Sequence, residues 1–529
     1  MGEDLYELPK GWVWARLDDI SEALGGFAFK SQNYTEQGFQ IIKIGNIKPG
    51  KLNIKDNKTF IDKIDSSILD RYLLESDDIL ITLTGTRLKR DYGFVTIVKN
   101  EKQLLLNQRV ARLRFYPPLY PVYFCYSLQS EPFRDNFFQN ETGNVGQGNV
   151  SMGAIKEEFI PLPPLPEQYR IVAKIEELFT QLDAGVELLK KVKAKLKRYR
   201  QAVLKAAVEG NLTKEWRTAH QGESEPASVL LERILKQRRE KWEAEQLAKM
   251  QAQGKTPKDD SWKLKYKEPV TPDTSDLPDL PDRWCWVNYD QIGEWSGGGT
   301  PRTTIADYWE NGTIPWVSPK DMKSFKISNS EDKITKIGLE NSTANLIKAG
   351  SLFFVTRSGI LRRILPIALN LVDTAINQDI KALTPSLLLN PEYLLNASLA
   401  LREDILHTCS KDGTTVESIE LSDLRIYPIP LAPLDEQLRI IEGIERLFSI
   451  IDQLEKTVDT NIKRAERLRQ SILKQAFTGQ LVPQDPNDEP AEKLLERIKA
   501  EKAQQVATKT KKKTKSQPKS SAQLALPLE

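Results

Sequence analysis

Apolar residues recur at alternating spacings of four and three along one stretch: Ile171, Ile175, Leu178, Leu182, Gly185, Leu189, Val192, Leu196, Tyr199, Val203 and Ala206. The same spacing returns at Ile440, Ile444, Leu447, Ile451, Leu454, Val458, Asn461, Ala465, Leu468, Ile472 and Gln475. This period predicts two long helices, each with a heptad seam. At 1.5 Å per residue each would run roughly 65 Å. Pro164 and Pro166 suit the start of the first helix, and Gly210 and Gly479 suit C-terminal caps. Gly185 and Asn461 interrupt the seam and are expected to fix its register. Each seam could pack on its own domain or on the other helix. The preferred reading is an antiparallel pair, because the chain must return to begin a second domain.

The two helical stretches are copies. Pro164-Leu165-Pro166-Glu167-Gln168 and Pro433-Leu434-Asp435-Glu436-Gln437 open them, and the shift is a constant 269 positions, from 167 to 436 and from 210 to 479. A repeat of that size is a duplicated module and not a solenoid period. The module starts repeat as well: Leu8-Pro9-Lys10-Gly11-Trp12 and Leu280-Pro281-Asp282-Arg283-Trp284. Short apolar runs split by Gly, Asn and Asp fill the space between. Residues 41–44, 79–83, 94–98 and 110–113 predict strands, and 121–138 reads as helical. Residues 314–317, 351–356 and Asn377-Gln378 echo the first copy weakly. The expected class is α+β, with a mixed sheet in each of two similar domains joined by two long helices.

The boundaries follow: a domain over 1–163, a long helix over 164–212, a helical insert and linker over 213–279, a second domain over 280–430, a second long helix over 431–482, and a short helix with a lysine-rich, disordered tail over 483–529. Glu225-Pro226-Ala227 and Glu489-Pro490-Ala491 each start a smaller repeated helix. The net charge of +3 gives no global basic signature, so any nucleic-acid contact must rely on local charge. Three scattered cysteines argue for a reducing compartment. No apolar run approaches a membrane span and no signal pattern opens the chain, so a cytoplasmic protein is expected.

Catalytic chemistry is hard to place. The two histidines, His220 and His407, stand in unrelated contexts. There is no Cys-x-x-Cys, no phosphate-binding glycine loop and no Asn/Asp-Pro-Pro-aromatic tetrapeptide. Glycines 143–148 and 297–299 read as flexible loops. Basic and amide residues instead cluster in the loops of both domains. In the first they are Lys43, Asn46, Lys48, Thr84, Thr86, Arg87, Lys89, Arg90, Arg109, Gln147 and Asn149. In the second they are Thr300, Arg302, Ser318, Lys320, Lys323, Arg357, Ser358, Arg362, Arg363, Thr414 and Thr415. Arg and Lys read guanine edges, Asn and Gln read adenine edges, and the cations also hold phosphate. A solvated surface charge is the ordinary account of each residue alone; matched positions in two modules raise the set above it.

With its paired Pro-x-x-Glu-Gln helix starts, Leu-Pro-x-x-Trp module starts, the stretch Asn107-Gln108-Arg109-Val110-Ala111-Arg112-Leu113, and Gly210-Asn211-Leu212-Thr213 beside Gly479-Gln480-Leu481-Val482, the chain resembles the specificity (S) subunits of type I restriction–modification enzymes. The resemblance implies two target-recognition domains, each reading half of a bipartite double-stranded DNA site, and an antiparallel coiled coil that sets the gap. It implies docking of two methyltransferase (M) subunits and of restriction (R) subunits. S-adenosylmethionine, ATP and Mg would be bound by those partners, with no cofactor and no catalytic residue on this chain. The charged 225–279 insert and the lysine-rich tail depart from the family pattern. A stand-alone methyltransferase or nuclease, and a coiled-coil adaptor that binds only proteins, remain the alternatives.

Overall fold

The computed structural model describes residues 5–144, 146–257, 259–411 and 417–515, with side chains through residue 504. The chain divides into two compact units, Met1–Lys190 with Asp459–Glu529, and Lys191–Val458. The division cuts both long helices, Leu165–Val208 and Leu434–Phe477, each 44 residues long. Each unit therefore holds one globular domain, the first half of its own helix and the second half of the other.

In the first unit a four-stranded antiparallel sheet has the order Ser21–Gly25, Val110–Phe115, Ile79–Thr82, Val95–Ile97. Beside it Leu104–Leu106 runs parallel to Phe39–Ile42. Val13–Arg16 pairs antiparallel with Phe159–Leu162, so the start and end of the domain close on each other. The second unit repeats the plan. A five-stranded sheet contains Gly293–Gly297, Ile380–Pro385 and Leu352–Val355; Ile314–Val317 runs parallel to Thr374–Ile376; Cys285–Asn288 closes on Pro428–Leu431. The four-stranded sheet of the first unit is wholly antiparallel, whereas the five-stranded sheet of the second carries one parallel edge strand, Lys326–Ile327 beside Ile367–Asn370. Strands such as Ile79–Thr82 and Leu352–Val355 are buried at every position, which accounts for their unbroken apolar runs.

The two long helices pair antiparallel within each unit, and they also pack on the domains. The core of the first unit joins Leu17, Ile79 and Phe124 to Ile171 and Ile175 of one helix and Ile472, Leu473 and Ala476 of the other. The second unit does the same with Val203, Leu204 and Ala207 beside Ile440, Ile441 and Ile444. Both readings of the seam therefore hold.

Ile171, Leu178, Ala206, Ile440, Leu447 and Ala465 are buried or half-buried as expected, but part of the seam is one residue out of phase. Ile175, Leu182, Leu189, Leu196 and Val203 turn inward or partly inward as expected. The alternating positions are Phe179, Val186, Arg200 and Ala207, while Gly185, Val192 and Tyr199 are exposed. The second helix shows the same phase: Glu455, Ile462, Arg469 and Ala476 face in, and Leu454, Asn461, Leu468 and Gln475 are exposed. Nothing lies within 4 Å of a Cβ built at Gly185, so Gly185 does not set the register by close packing. Two arginines occupy seam positions instead. Arg469 stacks over Phe179, 4.1 Å from the ring centre, and pairs with Asp183. Arg200 stacks over Phe448 at 4.9 Å and pairs with Asp452 and Glu455. A polar group at a seam position is satisfied in only one register.

Three further expectations change. Thr142–Asn144 and Gln147–Asn149, expected in a flexible loop, pair as antiparallel strands. The stretch over 251–279 is not wholly a linker, because Trp262 is buried and stacks on Trp242 of the insert helix Ala227–Ala252. The helix expected to be short spans Ala491–Lys515 and takes in the first lysines of the tail.

Candidate nucleic-acid interface

The repeated motifs converge on one joint in each unit. Trp12 Nε1 donates to Glu167 Oε2 at 3.0 Å, and Trp284 Nε1 donates to Glu436 Oε2 at 2.8 Å. Gln168 and Gln437 are buried; their amides donate to Pro163 O at 3.1 Å and Ala432 O at 2.8 Å. The caps Gly479 and Gly210 have φ of +73° and +68°, and an added Cβ would lie 2.2 Å from Pro9 Cγ and 2.4 Å from Pro281 Cγ. Ala491 N donates to Gly11 O and Ala227 N to Arg283 O. The module starts, helix starts, helix caps and Glu-Pro-Ala motifs are therefore one mechanical joint, built twice. In the second copy Glu436 Oε1 also accepts from Thr213 and Arg217, each at 2.6 Å. The matching positions in the first copy are Val482 and Pro486, and Glu167 Oε1 is buried without a partner. Burial raises the Glu167 pKa, against the Trp12 bond, which lowers it.

Away from the joint, strand ends gather around the Asn-Gln turn. In the first domain Asn107 N donates to Ile42 O, Gln108 N to Phe27 O, Leu83 N to Arg109 O and Val150 N to Leu83 O, at 3.0–3.4 Å. In the second, Asn377 N donates to Val317 O, Gly299 N to Ile376 O, Thr356 N to Asp379 O and Ile419 N to Thr356 O, at 2.8–3.0 Å. Gly26 and Gly298 lie against these turns: an added Cβ would fall 2.0 Å from Asn107 O and 2.1 Å from Ile376 O. Gly298 is thus a close-approach position and not part of a flexible loop.

This framework brings Lys43, Thr84, Thr86, Arg87, Lys89, Arg90, Arg109, Gln147 and Asn149 to one end of the first domain. Arg87, Lys89, Arg90, Arg109 and Gln147 are exposed, and Thr84, Thr86 and Asn149 are half-buried. The basic loop is held, not floppy. Thr86 N donates to Asp91 Oδ1 at 2.6 Å, a bond that keeps the Asp91 pKa low; Arg87 Nε donates to Glu141 Oε2 at 2.9 Å; Arg90 stacks on Phe138. Lys89 and Arg109 have no ion pair among the described residues. Lys43 lies 4.4 Å over the Tyr34 ring. Lys48 is exposed but sits on a separate hairpin, whose Gly50 N donates to Val95 O.

In the second domain Thr300, Arg302, Lys320, Lys323, Arg357, Arg362 and Arg363 are exposed and Ser358 is half-buried. Thr300 Oγ1 donates to Gln378 Oε1 at 2.6 Å. Lys320 is paired with Asp332 at 2.9 Å and Glu331 at 3.4 Å, and Arg362 is paired with Glu417. Thr414 and Thr415 lie outside the described residues.

Two candidates are corrected. Asn46 is fully buried; it accepts from Lys43 N and donates to Asn53 O and Asp56 O, so its amide has nothing left for a base. Ser318 is buried and caps the matching turn with Asp321. Asn149 bridges Thr84 as Ser418 bridges Arg357, so Ser418 is the counterpart of Asn149. The candidate set omitted Gln108 and Gln378, exposed at the apex of the two turns. The repeated Asn-Gln pair was the signal that marked them.

Among the described residues no cluster of three or more His, Cys, Asp or Glu could hold a metal ion, and no helix is long and apolar enough to cross a membrane. The chain matches the type I restriction modification DNA specificity domain family twice, over residues 9–198 and 281–464. It is 25% identical over 526 residues to the type I restriction enzyme EcoKI specificity subunit of Escherichia coli (strain K12), covering 96% of this chain and 99% of that subunit. It is 38% identical over 185 residues to the EcoR124I/EcoR124II specificity subunit of Escherichia coli, 35% of this chain and 45% of that subunit. A solved chain described under complex assembly and conformational transition of the type I R-M system shares the fold, with a TM-score of 0.59 at 18% identity over 90% of this chain and 100% of that one. Both family matches span a globular domain and part of the long helix that follows it, and the chain belongs to the type I restriction modification DNA specificity domain family, whose task is DNA sequence recognition in a type I restriction–modification complex.

Proposed function

We propose that each globular domain reads one half of a bipartite double-stranded DNA site with the side chains gathered around its Asn-Gln turn. The observation that carries this is the repeated convergence of strand ends on residues 107–109 and 377–379, which presents exposed Arg, Lys and Gln side chains from a rigid base in both domains. Cations there hold phosphates, and Gln108, Gln147 and Gln378 offer paired donors and acceptors to adenine edges. The domains share the framework and differ in the side chains on it, as two readers of different half-sites would.

The chain supplies specificity, and its partners supply the chemistry. Two methyltransferase subunits would dock on it and carry S-adenosylmethionine; restriction subunits would bring ATP and Mg. The whole would work in the cytoplasm, where its DNA is. Support comes from the relatives' designation as specificity subunits and from the lack of a recognisable catalytic motif in the sequence.

Reconstitution with the cognate methyltransferase subunit, followed by sequencing of the adenines methylated in a random DNA library, tests the reading. A split motif with a fixed gap is expected. Arg109→Ala and Gln108→Ala should alter only the half read by the first domain, and methylation by this chain alone would overturn the division of labour.

A further inference from the structure

We propose that a cleft in the second unit is a binding site for an aromatic side chain, a tyrosine, presented by a partner polypeptide. The cleft lies between the insert helix and the turn after Ile380–Pro385, with a volume of about 610 Å³. That volume falls within the range of ligand pockets, roughly 300–1,000 Å³. Ile234, Ile292 and Leu389 give it an apolar lining, Arg238 and Glu294 give it charge, and Leu387 stands fully exposed at its rim.

The duplicated fold supplies a template for the occupant. In the first unit the same place is filled by the chain's own Tyr116. The equivalence rests on the backbone: Tyr116 N donates to Ile20 O at 3.0 Å, and Ser386 N donates to Ile292 O at 2.8 Å. The Tyr116 ring packs against the first core and lies 5.8 Å from Lys502 Nζ. Burial and the nearby Glu22 and Asp18 carboxylates raise its hydroxyl pKa. The charged surroundings recur in the second unit, though Glu22 is paired with Arg112 and its counterpart with Lys241. Glu294 stands for Glu22 and Asp290 for Asp18. Arg238 stands for Lys502, since Lys502 donates to Asp18 O as Arg238 donates to Asp290 O. Only the ring is missing, because Ser386 replaces Tyr116 and Thr384 replaces Arg114, leaving space where the first unit has a phenol.

An apolar slot suits a phenol better than an aliphatic chain when polar groups stand at its rim, here Glu294, held by Lys241, and Arg238, held by the carbonyls of Asp290 and Gly293. Since the first unit plugs its own slot, one copy per chain is open. The site is therefore offered once per chain, so of two subunits docked on the two copies only the one on the second unit would fill it.

The full-length chain is titrated with p-cresol as a phenol probe, by ligand-observed NMR. One site is expected in the parent. Ser386→Tyr should weaken p-cresol binding at least about tenfold, near 1.4 kcal/mol, and Tyr116→Ser should open a second site. No binding to the parent, or equal binding to Ser386→Tyr, overturns the site. Leu387, being fully exposed, is then replaced by benzoylphenylalanine in the complex reconstituted with the methyltransferase subunit, so failure of Ser386→Tyr to fold does not stall the test. Crosslinking to a tyrosine-bearing partner segment, suppressed by p-cresol, is expected. No protein crosslink, or a crosslink to DNA, overturns the partner assignment. This second arm rests on the proposed complex and the p-cresol arm does not, so the two can fail separately.

Discussion

Glu167 and Glu436 do the same work in different company. Each anchors a tryptophan from its module start, but only Glu436 has Thr213 and Arg217 on its other oxygen. Replacing Trp12 by Phe removes the indole donor to Glu167 Oε2 and leaves a buried carboxylate with only Gln484 and the Arg170 charge to favour it. A loss of about 1–3 kcal/mol is expected, read as a lower midpoint in thermal unfolding. Glu158 gives a second prediction. Burial pushes its pKa up to about 7, against hydrogen bonds from Asn140 and Asn136. A carboxyl raised in the folded state holds its proton longer than in the unfolded chain, so its contribution falls as pH rises from the ordinary carboxyl range through about 7. Glu158→Gln should therefore match the parent near pH 4 and exceed it above pH 7 by about 1–3 kcal/mol. Urea titrations at the two pH values read this, and equal midpoints at pH 8 would refute it. Neither carboxylate's environment was legible in the chain, because burial is a property of what folds over it.

For the helices, the heptad period was legible and part of its phase was not. Positions such as Leu182 and Val203 satisfied either phase, and the choice between Gly185 and Val186, or Tyr199 and Arg200, fell to tertiary contact. Apolarity favoured Tyr199; stacking on Phe448 and pairing with Asp452 won the place for Arg200. The consequence is testable. Gly185→Ala should stabilise by about 0.5–1 kcal/mol, since the site is open and glycine weakens a helix interior. Destabilisation would restore Gly185 as a register device. Arg469→Leu should leave helicity intact by circular dichroism yet lower thermal stability, and Arg200→Leu should do the same in the other unit. The target-recognition loops were legible as a basic, amide-rich set, but two members, Asn46 and Ser318, proved to be caps. Asn and Ser are chemically suited to both tasks, and only burial separates them.

The whole molecule carries one plan twice, and the prediction at this scale concerns modularity. Exchanging residues 280–430 for those of a relative should change one half-site and leave the other, as read by methylation sequencing. Inserting matched heptads into both long helices should change the gap and neither half-site. If half-site bases followed the helices, the assignment of reading to the domains would fail. The joints explain why such exchange is feasible. The repeated motifs tie each domain to the helices, while the loops that differ between the two copies lie around the Asn-Gln turns.

The sequence by itself determined the duplication, the two long helices, their caps and the domain class, because periodicity, Pro and Gly placement and repeated motifs are local properties of the chain. It also pointed to the loops that carry charge. Tertiary structure alone decided the seam's second register position, which amides are caps and which are free, and how four scattered motifs become one joint. It also decided that the slot filled by Tyr116 stands open beside Ser386. Each of these depends on which distant residues are brought together, and a single strand of sequence carries no distance.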